Sequence, residues 1–288
     1  MLNTQRIRNA FERAAPGFDG TDFLHREIRG RLLDRLRMVD VHPEWVLDLG
    51  AGTCSGVIGL ANEFPDGHII ALDFAAPMLV AGKHKIQGNS NVSQLCADAA
   101  ALPFGNQSID MIFSNLVLHH CPNPGAALAE ARRTLRFPGL LTFTMLGQDS
   151  FIELRNAWAA VDNFSHIAHF MDMHHVGDAL IQAGFAEPVV DVENLTVTYD
   201  ALPKLMADLR GAGSINATDN RNPDLTGRRS WRRLADAYEQ YRNENNQLPV
   251  TLEIIYGLAW CGEAKPAMRE PDGSVNFPVD ELKLRSRR

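Results

Sequence analysis

A chain of 288 residues with 45% hydrophobic and 22% charged residues has the composition of a folded globular protein, not of a disordered one. Its net charge of −7 argues against a general nucleic-acid binder, and no run of about 18 apolar residues is available to span a bilayer. Cys54, Cys96, Cys121 and Cys261 form no C-x-x-C pair and the N-terminus has no apolar h-region, so the expectation is a cytoplasmic protein with reduced thiols and no metal.

In chain order, residues 3 to 15 place Ile7, Ala10, Phe11 and Ala14 at helical spacing, and Pro16-Gly17 ends that helix. A second helix is predicted from about Asp22 to Met38, with Phe23, Ile28, Leu32, Leu33 and Leu36 on its apolar side. Because both precede the first strand, residues 1–40 can lie across the top of a sheet as a lid; the alternative is that they cover an edge.

Trp45-Val46-Leu47-Asp48-Leu49 reads as a buried parallel strand that stops at a glycine turn, and Val57 to Phe64 then has helical spacing. Gly50 and Gly52 let the backbone turn tightly and approach a ligand, while the start of the helix offers free N–H groups to an anionic group. Counting from Gly50, the sixth position of G-x-G-x-x-G is Ser55. Asp48, inside the strand end, suits a ligand with an ammonium group better than a pyrophosphate, so a dinucleotide oxidoreductase fits poorly.

His68 to Asp73 is the second strand, followed by Phe74 and a helix near Pro77-Met78-Leu79. An acid at this strand end can accept both hydroxyls of a ribose, which makes Asp73 the candidate ribose ligand; a helix N-cap is the plainer reading. Val92 to Leu95 is a short third strand, after which Asp98 can accept from an adenine amino group while Ala99 and Leu102 pack on the ring. Ser108 to His120 holds the fourth strand and its loop, a helix follows from about Gly125 to Leu135, and Phe137-Pro138-Gly139 turns into a fifth strand, Leu140 to Met145. Successive βα units with a polar residue at each strand end require a parallel sheet with ligands at its carboxyl edge.

Helices are expected from Asp149 to Val161 and from Met171 to Ala183. Val189 to Tyr199 and Thr251 to Ala259 alternate like strands, and are expected to close the sheet as an antiparallel pair. Residues 203–246 between them form an arginine-rich helical insertion.

The DLGAG string resembles the first motif of class I S-adenosylmethionine-dependent methyltransferases. That resemblance implies a Rossmann-like α/β fold with a mostly parallel seven-stranded sheet. It assigns Asp48, Gly50, Gly52, Asp73, Phe74, Met78, Asp98, Ala99, Asn115 and Leu116 to the cofactor, S-adenosyl-L-methionine, and to its product S-adenosyl-L-homocysteine. The family usually has Gly at the position of Cys54; the helix is expected to begin there without a positive φ.

The resemblance narrows over the whole chain. RIRNAFERAAPGFDG, FLHREIRGRLLDRL, SIDMIFSNLVLHHCPNPGAALAEARRTLRFPGLLTFTMLG, LRGAGSINATDNRNPDLTGR and LPVTLEIIYGLAW together look like the malonyl-acyl-carrier-protein O-methyltransferases of biotin synthesis. The resemblance implies methylation of the free carboxylate of a malonyl thioester carried on acyl carrier protein. A carboxylate is already ionised at neutral pH and needs no general base. Arg155 is the first choice to hold it, with a partner in Glu153 or a neighbouring carboxylate as the alternative. His119, His120 and Phe18 are expected as pocket walls; the family commonly has Tyr at the position of Phe18, so a hydroxyl is missing. Arg221, Arg228, Arg229, Arg232 and Arg233, with Trp231 among them, are expected to dock the acidic carrier protein, the alternative being a solvated helix. The organisation implied is a lid at 1–40, a core at 41–202 and 247–262, the insertion at 203–246 and a tail at 263–288. Methyltransferase-like assembly factors for respiratory complex I share several of these strings and remain an alternative, as does a small-molecule methyltransferase on the same core.

Overall fold

The computed structural model describes residues 2–222, 224 and 226–262; the tail at 263–288, including GSVNFPVDEL, lies outside the described residues. Seven strands form one sheet in the order β3-β2-β1-β4-β5-β7-β6. They are β1 (Trp45–Leu49), β2 (His68–Asp73), β3 (Val92–Cys96), β4 (Ile109–Asn115), β5 (Leu135–Leu146), β6 (Phe185–Tyr199) and β7 (Leu248–Cys261). The first five run parallel. β7 is antiparallel to both β5 and β6.

The sequence forms these strands for a local reason. From Val46 onward β1, and the second half of β5, are buried on both faces and mostly apolar, the pattern of a parallel strand covered by helices on either side. α2 (Phe23–Leu36), α3 (Ser55–Glu63), α6 (Ile152–Ala159) and α9 (Arg228–Glu239) cover one face through Ile28, Leu32, Leu60, Leu154, Trp158, Leu234 and Tyr238. α5 (Pro124–Thr134) and α7 (Met173–Gln182) cover the other through Leu128, Ala131, Val176 and Leu180. Asn123 and Asp172 cap the last two, their side chains accepting from Ala126 N and His175 N.

Several boundaries differ from the sequence reading. The Phe137-Pro138-Gly139 turn falls inside β5, which starts at Leu135 and pairs there with Ile109 before the register shifts. Of the two N-terminal helices, α1 (Thr4–Ala14) runs on through a 3-10 turn, Ala15–Gly20, and only this part sits beside α4 (Ala76–Gly82) at the edge of the glycine turn. α2 lies on the sheet face, where Arg35 pairs with Asp191 at 2.7 Å and Arg31 pairs with Glu193, tying it to β6. The arginine-rich insertion comprises α8 (Leu202–Gly211) and α9, with irregular chain between them among the described residues.

The strand order reverses between β1 and β4, and ligands of open α/β sheets bind outside the carboxyl ends at that reversal. The glycine turn after β1 and the Asn115-Leu116 corner after β4 flank it.

Candidate active site

Asp48 occupies the centre of this edge, its backbone paired between Ala71 and Phe113. The turn beyond it hooks back on β2, Gly50 N and Ala51 N both donating to Leu72 O at 2.7 and 2.8 Å. Gly50 has φ +78°, and a β-carbon there would stand 2.2 Å from Val117 Cγ2, so no other residue fits. Asp73 locks the turn from the side: its carboxylate accepts from Gly52 N at 2.9 Å and from Ala75 N at 2.8 Å. Each of its oxygens keeps a lone pair for a further donor.

The carboxylate of Asp48 is buried, and its Oδ2 has no hydrogen-bond partner among the described residues. Burial pushes its pKa up to about 7 against the pull of Arg29, with the charge of Asp73 adding to the rise. Burial also lifts Asp73 to about 6 despite its backbone donors. A buried, unpartnered acid is costly, and its persistence beside a glycine turn marks a place built for a cationic group. Phe18, His25, Arg29, Asp48, Gly52 and Asn115 line the small cavity over it.

Cys54 departs from the sequence reading. It is the N-cap of α3 and sits at φ +60°, left-handed, where the sequence reading placed no positive φ. Leu116 after β4 (φ +56°) and Phe151 after β5 (φ +60°) share this conformation. Such residues cost roughly 1–3 kcal/mol each and collect where a site over-determines the backbone. All three lie at the carboxyl edge. Hydrogen bonds hold the two later ones, Leu116 N donating to Thr144 O and Oγ1, both at 3.0 Å, and Phe151 N to Thr251 O at 2.7 Å.

The N-terminal segment closes over the turn in two ways. Phe18, Ala14 and Ala15 pack on Ala75 and Met78, with Phe11 edge-on to Phe74. A polar latch reinforces this: Lys85 Nζ donates to Asp19 at 2.7 Å, Ser55 at 2.8 Å and Thr53 at 3.0 Å, and Thr53 Oγ1 donates to Asp19 at 2.6 Å. Burial raises Asp19, but the bonds from Lys85 and Thr53 outweigh it and hold its pKa below the usual carboxylate range. The latch joins residues 66 positions apart, and no local spacing announces it.

Beyond the turn stands a cluster of imidazoles. His119 and His120 lie ring to ring at 4.1 Å, and His25, from α2, packs against Phe18 at 5.1 Å with the rings tilted by 60°. Burial lowers all three pKa values, His25 and His120 to about 4 and His119 well below the usual histidine range, the neighbouring positive charges adding to the effect for His25 and His119. They are therefore neutral at pH 7. His119 Nδ1 accepts from Leu146 N at 3.3 Å, which leaves the proton on Nε2. His25 lines both the glycine-turn cavity and a second one, and His119, His120, Leu146 and Phe151 carry the second into a third cavity of about 290 Å³. His25 was not singled out in the sequence because nothing in the pattern of α2 separates it from an ordinary helix residue.

The remaining sequence candidates divide. Asn115 lines the glycine-turn cavity, but its amide already bridges His25 O, at 3.1 Å, and Thr144 Oγ1, at 2.9 Å. Asp98 accepts from Ala100 N at 2.9 Å, and neither it nor Ala99 lines the cavities described above. Arg155 is not on the 290 Å³ cavity that His119 and His120 share; it lines a neighbouring one. Its guanidinium donates to Gln148 O at 2.9 Å and Ser150 O at 3.3 Å, clipping the loop after β5. Glu153 is not its partner, because that carboxylate accepts from Thr251 N at 3.0 Å and from Thr251 Oγ1. Arg228, Arg229 and Arg232 are exposed on α9, while Arg233 donates to Ala160 O at 2.6 Å and Arg221 to Asn222 O at 3.0 Å. Among the described residues no group of His, Cys, Asp and Glu could hold a metal, and no helix is long and apolar enough to cross a membrane.

A family model described as a methyltransferase domain matches residues 47–143, from β1 into β5. Over nearly the whole chain, two curated proteins named malonyl-[acyl-carrier protein] O-methyltransferase are similar. That of Gallionella capsiferriformans is 41% identical over 93% of both chains, and that of Laribacter hongkongensis is 41% identical over 93% of both. Among solved structures, the YcgJ protein of Bacillus subtilis superposes with a TM-score of 0.60 at 18% identity, covering 82% of this chain and all of that one, a likeness of fold.

Proposed function

The chain belongs to the malonyl-[acyl-carrier protein] O-methyltransferase family, and from that premise we propose that it methylates the free carboxylate of a malonyl thioester on acyl carrier protein. It is an S-adenosylmethionine-dependent methyltransferase. The observation that carries the site assignment is the buried, unpartnered Asp48 at the strand reversal, which fits the ammonium of the cofactor's methionine end. Arg29, lining the same cavity, suits the carboxylate of that end, and Asp73, bonded to the turn at Gly52 N, suits the ribose; Asp98 is assigned to the adenine by its place after β3 alone.

When bound, S-adenosylmethionine supplies an electrophilic methyl group on a sulfonium. The chain's own contribution is placement and exclusion of water. An acceptor with a pKa near 4 arrives ionised, so no base is required, and three histidines kept neutral by burial are walls and hydrogen-bond donors, not proton acceptors. Nε2–H of His119 can orient an acceptor oxygen without cancelling its charge. Phe151 and Phe170 close the wall behind it. Because attack removes the acceptor's negative charge, a tight ion pair at the reacting end would stabilise the ground state and slow transfer. A neutral, dry pocket avoids that.

The exposed arginines of α9 suit an acidic carrier protein. Cations at a helix N-terminus oppose the helix dipole, yet Arg228, Arg229, Arg232 and Arg233 crowd the first half of this helix, an arrangement that folding alone does not favour. Residues 1–40 then act as lid and lid support, and 203–246 as the docking element. Four free cysteines, two of them buried, accord with a cytoplasmic setting.

Incubating the protein with methyl-labelled S-adenosylmethionine and either malonyl- or acetyl-acyl carrier protein tests this. One methyl gained by the malonyl-loaded carrier alone supports it; labelling of neither, or of both, rejects it.

A further inference from the structure

The 290 Å³ cavity beside His119 and His120 has an uneven charge pattern. Its lining is mostly apolar, and among the described residues Arg210 is the only Lys, Arg, Asp or Glu that belongs to it. Arg210 is exposed at the end of α8, and among the described residues its guanidinium has no hydrogen-bond or ion-pair partner. The nearest acid of the same helix, Asp208, faces the adjoining cavity and is engaged with the hydroxyl of Tyr199. Arg155 lines a neighbouring cavity and not this one, and both of its terminal nitrogens donate to carbonyls, although its Nε is buried without a partner among the described residues.

We propose that Arg210 is the specificity-determining cation of this pocket, pairing with the free carboxylate of the acyl substrate as it enters the cavity next to His119 and His120. The inference rests on the methyltransferase reading above and names the residue that selects its substrate. A mostly apolar cavity that holds, among the described residues, one free guanidinium and no acid favours a short acyl chain ending in a carboxylate over the same chain ending in methyl. Its exposure at the mouth matters as much as its charge. A solvent-screened cation attracts and aligns the anion without the deep ground-state stabilisation that a buried pair would impose on a reaction consuming that charge. Arg210 is thus a binding determinant whose loss falls on KM and spares kcat.

Steady-state kinetics with malonyl-N-acetylcysteamine test this, since the acyl carboxylate is the only anion on that substrate. For Arg210→Gln, KM is expected to rise about tenfold with kcat within about twofold of wild type, and Arg210→Lys to recover part of the loss. Binding of the methylated product, which lacks the carboxylate, should not change in either variant. The proposal is overturned if KM for the small thioester is unchanged while KM for the carrier-bound substrate rises, because Arg210 would then serve the carrier or the phosphate of its arm. Equal weakening of substrate and product would also overturn it, by indicating a merely structural role. If wild-type protein methylates no malonyl thioester at all, the functional reading itself fails, a result distinct from either.

Discussion

Asp48 and Gly56 face each other so closely that a β-carbon at residue 56 would stand 2.7 Å from Asp48 Oδ2. The first turn of α3 is thereby packed onto the one buried side-chain oxygen left without a partner among the described residues. In Gly56→Ala the methyl group must displace the carboxylate, at a cost of about 1–3 kcal/mol for overpacking. A lowered denaturant midpoint and at least tenfold weaker S-adenosylmethionine binding by calorimetry are expected; unaltered cofactor affinity would mean that Asp48 does not hold it.

Asp48 also sets a pH dependence. Its folded pKa of about 7 lies above the ordinary 3.8, so its contribution to stability is present at low pH and is lost as pH rises through 7. His25 and His120, at about 4 in place of 6.5, act oppositely and withdraw stability as pH falls from 6.5 toward 4. Asp48→Asn is therefore expected to be more stable than wild type at pH 8, with the advantage shrinking toward pH 4. Its cofactor binding should be weak and should lack the fall that wild type shows between pH 8 and 7, the fall that remains toward pH 6 belonging to Asp73. Urea midpoints and calorimetric titrations at pH 8, 7 and 6 check both halves.

Lys85 holds three side chains at once, Thr53 and Ser55 beside the glycine turn and Asp19 of the N-terminal segment. With Lys85→Met, Asp19 loses its ion pair, and the segment keeps its apolar contacts and the single bond from Thr53 Oγ1. Cofactor dissociation several-fold faster than wild type, with increased proteolytic cleavage near residues 15–20, is the expected result. A variant identical to wild type in both assays would make the contact incidental.

Reversal of Arg228 and Arg229 to Glu is expected to raise KM for the carrier-bound substrate at least tenfold, and to leave malonyl-N-acetylcysteamine within about twofold. Since both side chains are exposed, thermal stability should change by little. Equal loss on the two substrates would place the carrier elsewhere.

Much of the edge was legible because it is local. A glycine with a positive φ, an acid at a strand end and an apolar run obey rules that act over a few residues, so Gly50, Asp48 and Asp73 could be named together with the sheet they serve. Cys54 shows where local reasoning fails: its left-handed backbone is imposed by the neighbouring turn and by close packing against α4, where Gly82 leaves no room beside Thr53. Arg155 shows the second failure. A sequence gives a guanidinium's position in a helix but not which carbonyls lie within its reach.

By itself, the amino-acid sequence determined the order of strands and helices, the glycine turn and the family, since these depend on periodicity, backbone freedom and residue identity. Only the tertiary structure decided that His25 joins His119 and His120, that Lys85 latches Asp19, and that Arg210 and not Arg155 borders the 290 Å³ cavity. Those relationships join residues distant in the chain. Burial, charge pairing and pKa depend on everything surrounding a group, and that surrounding exists only once the chain has folded.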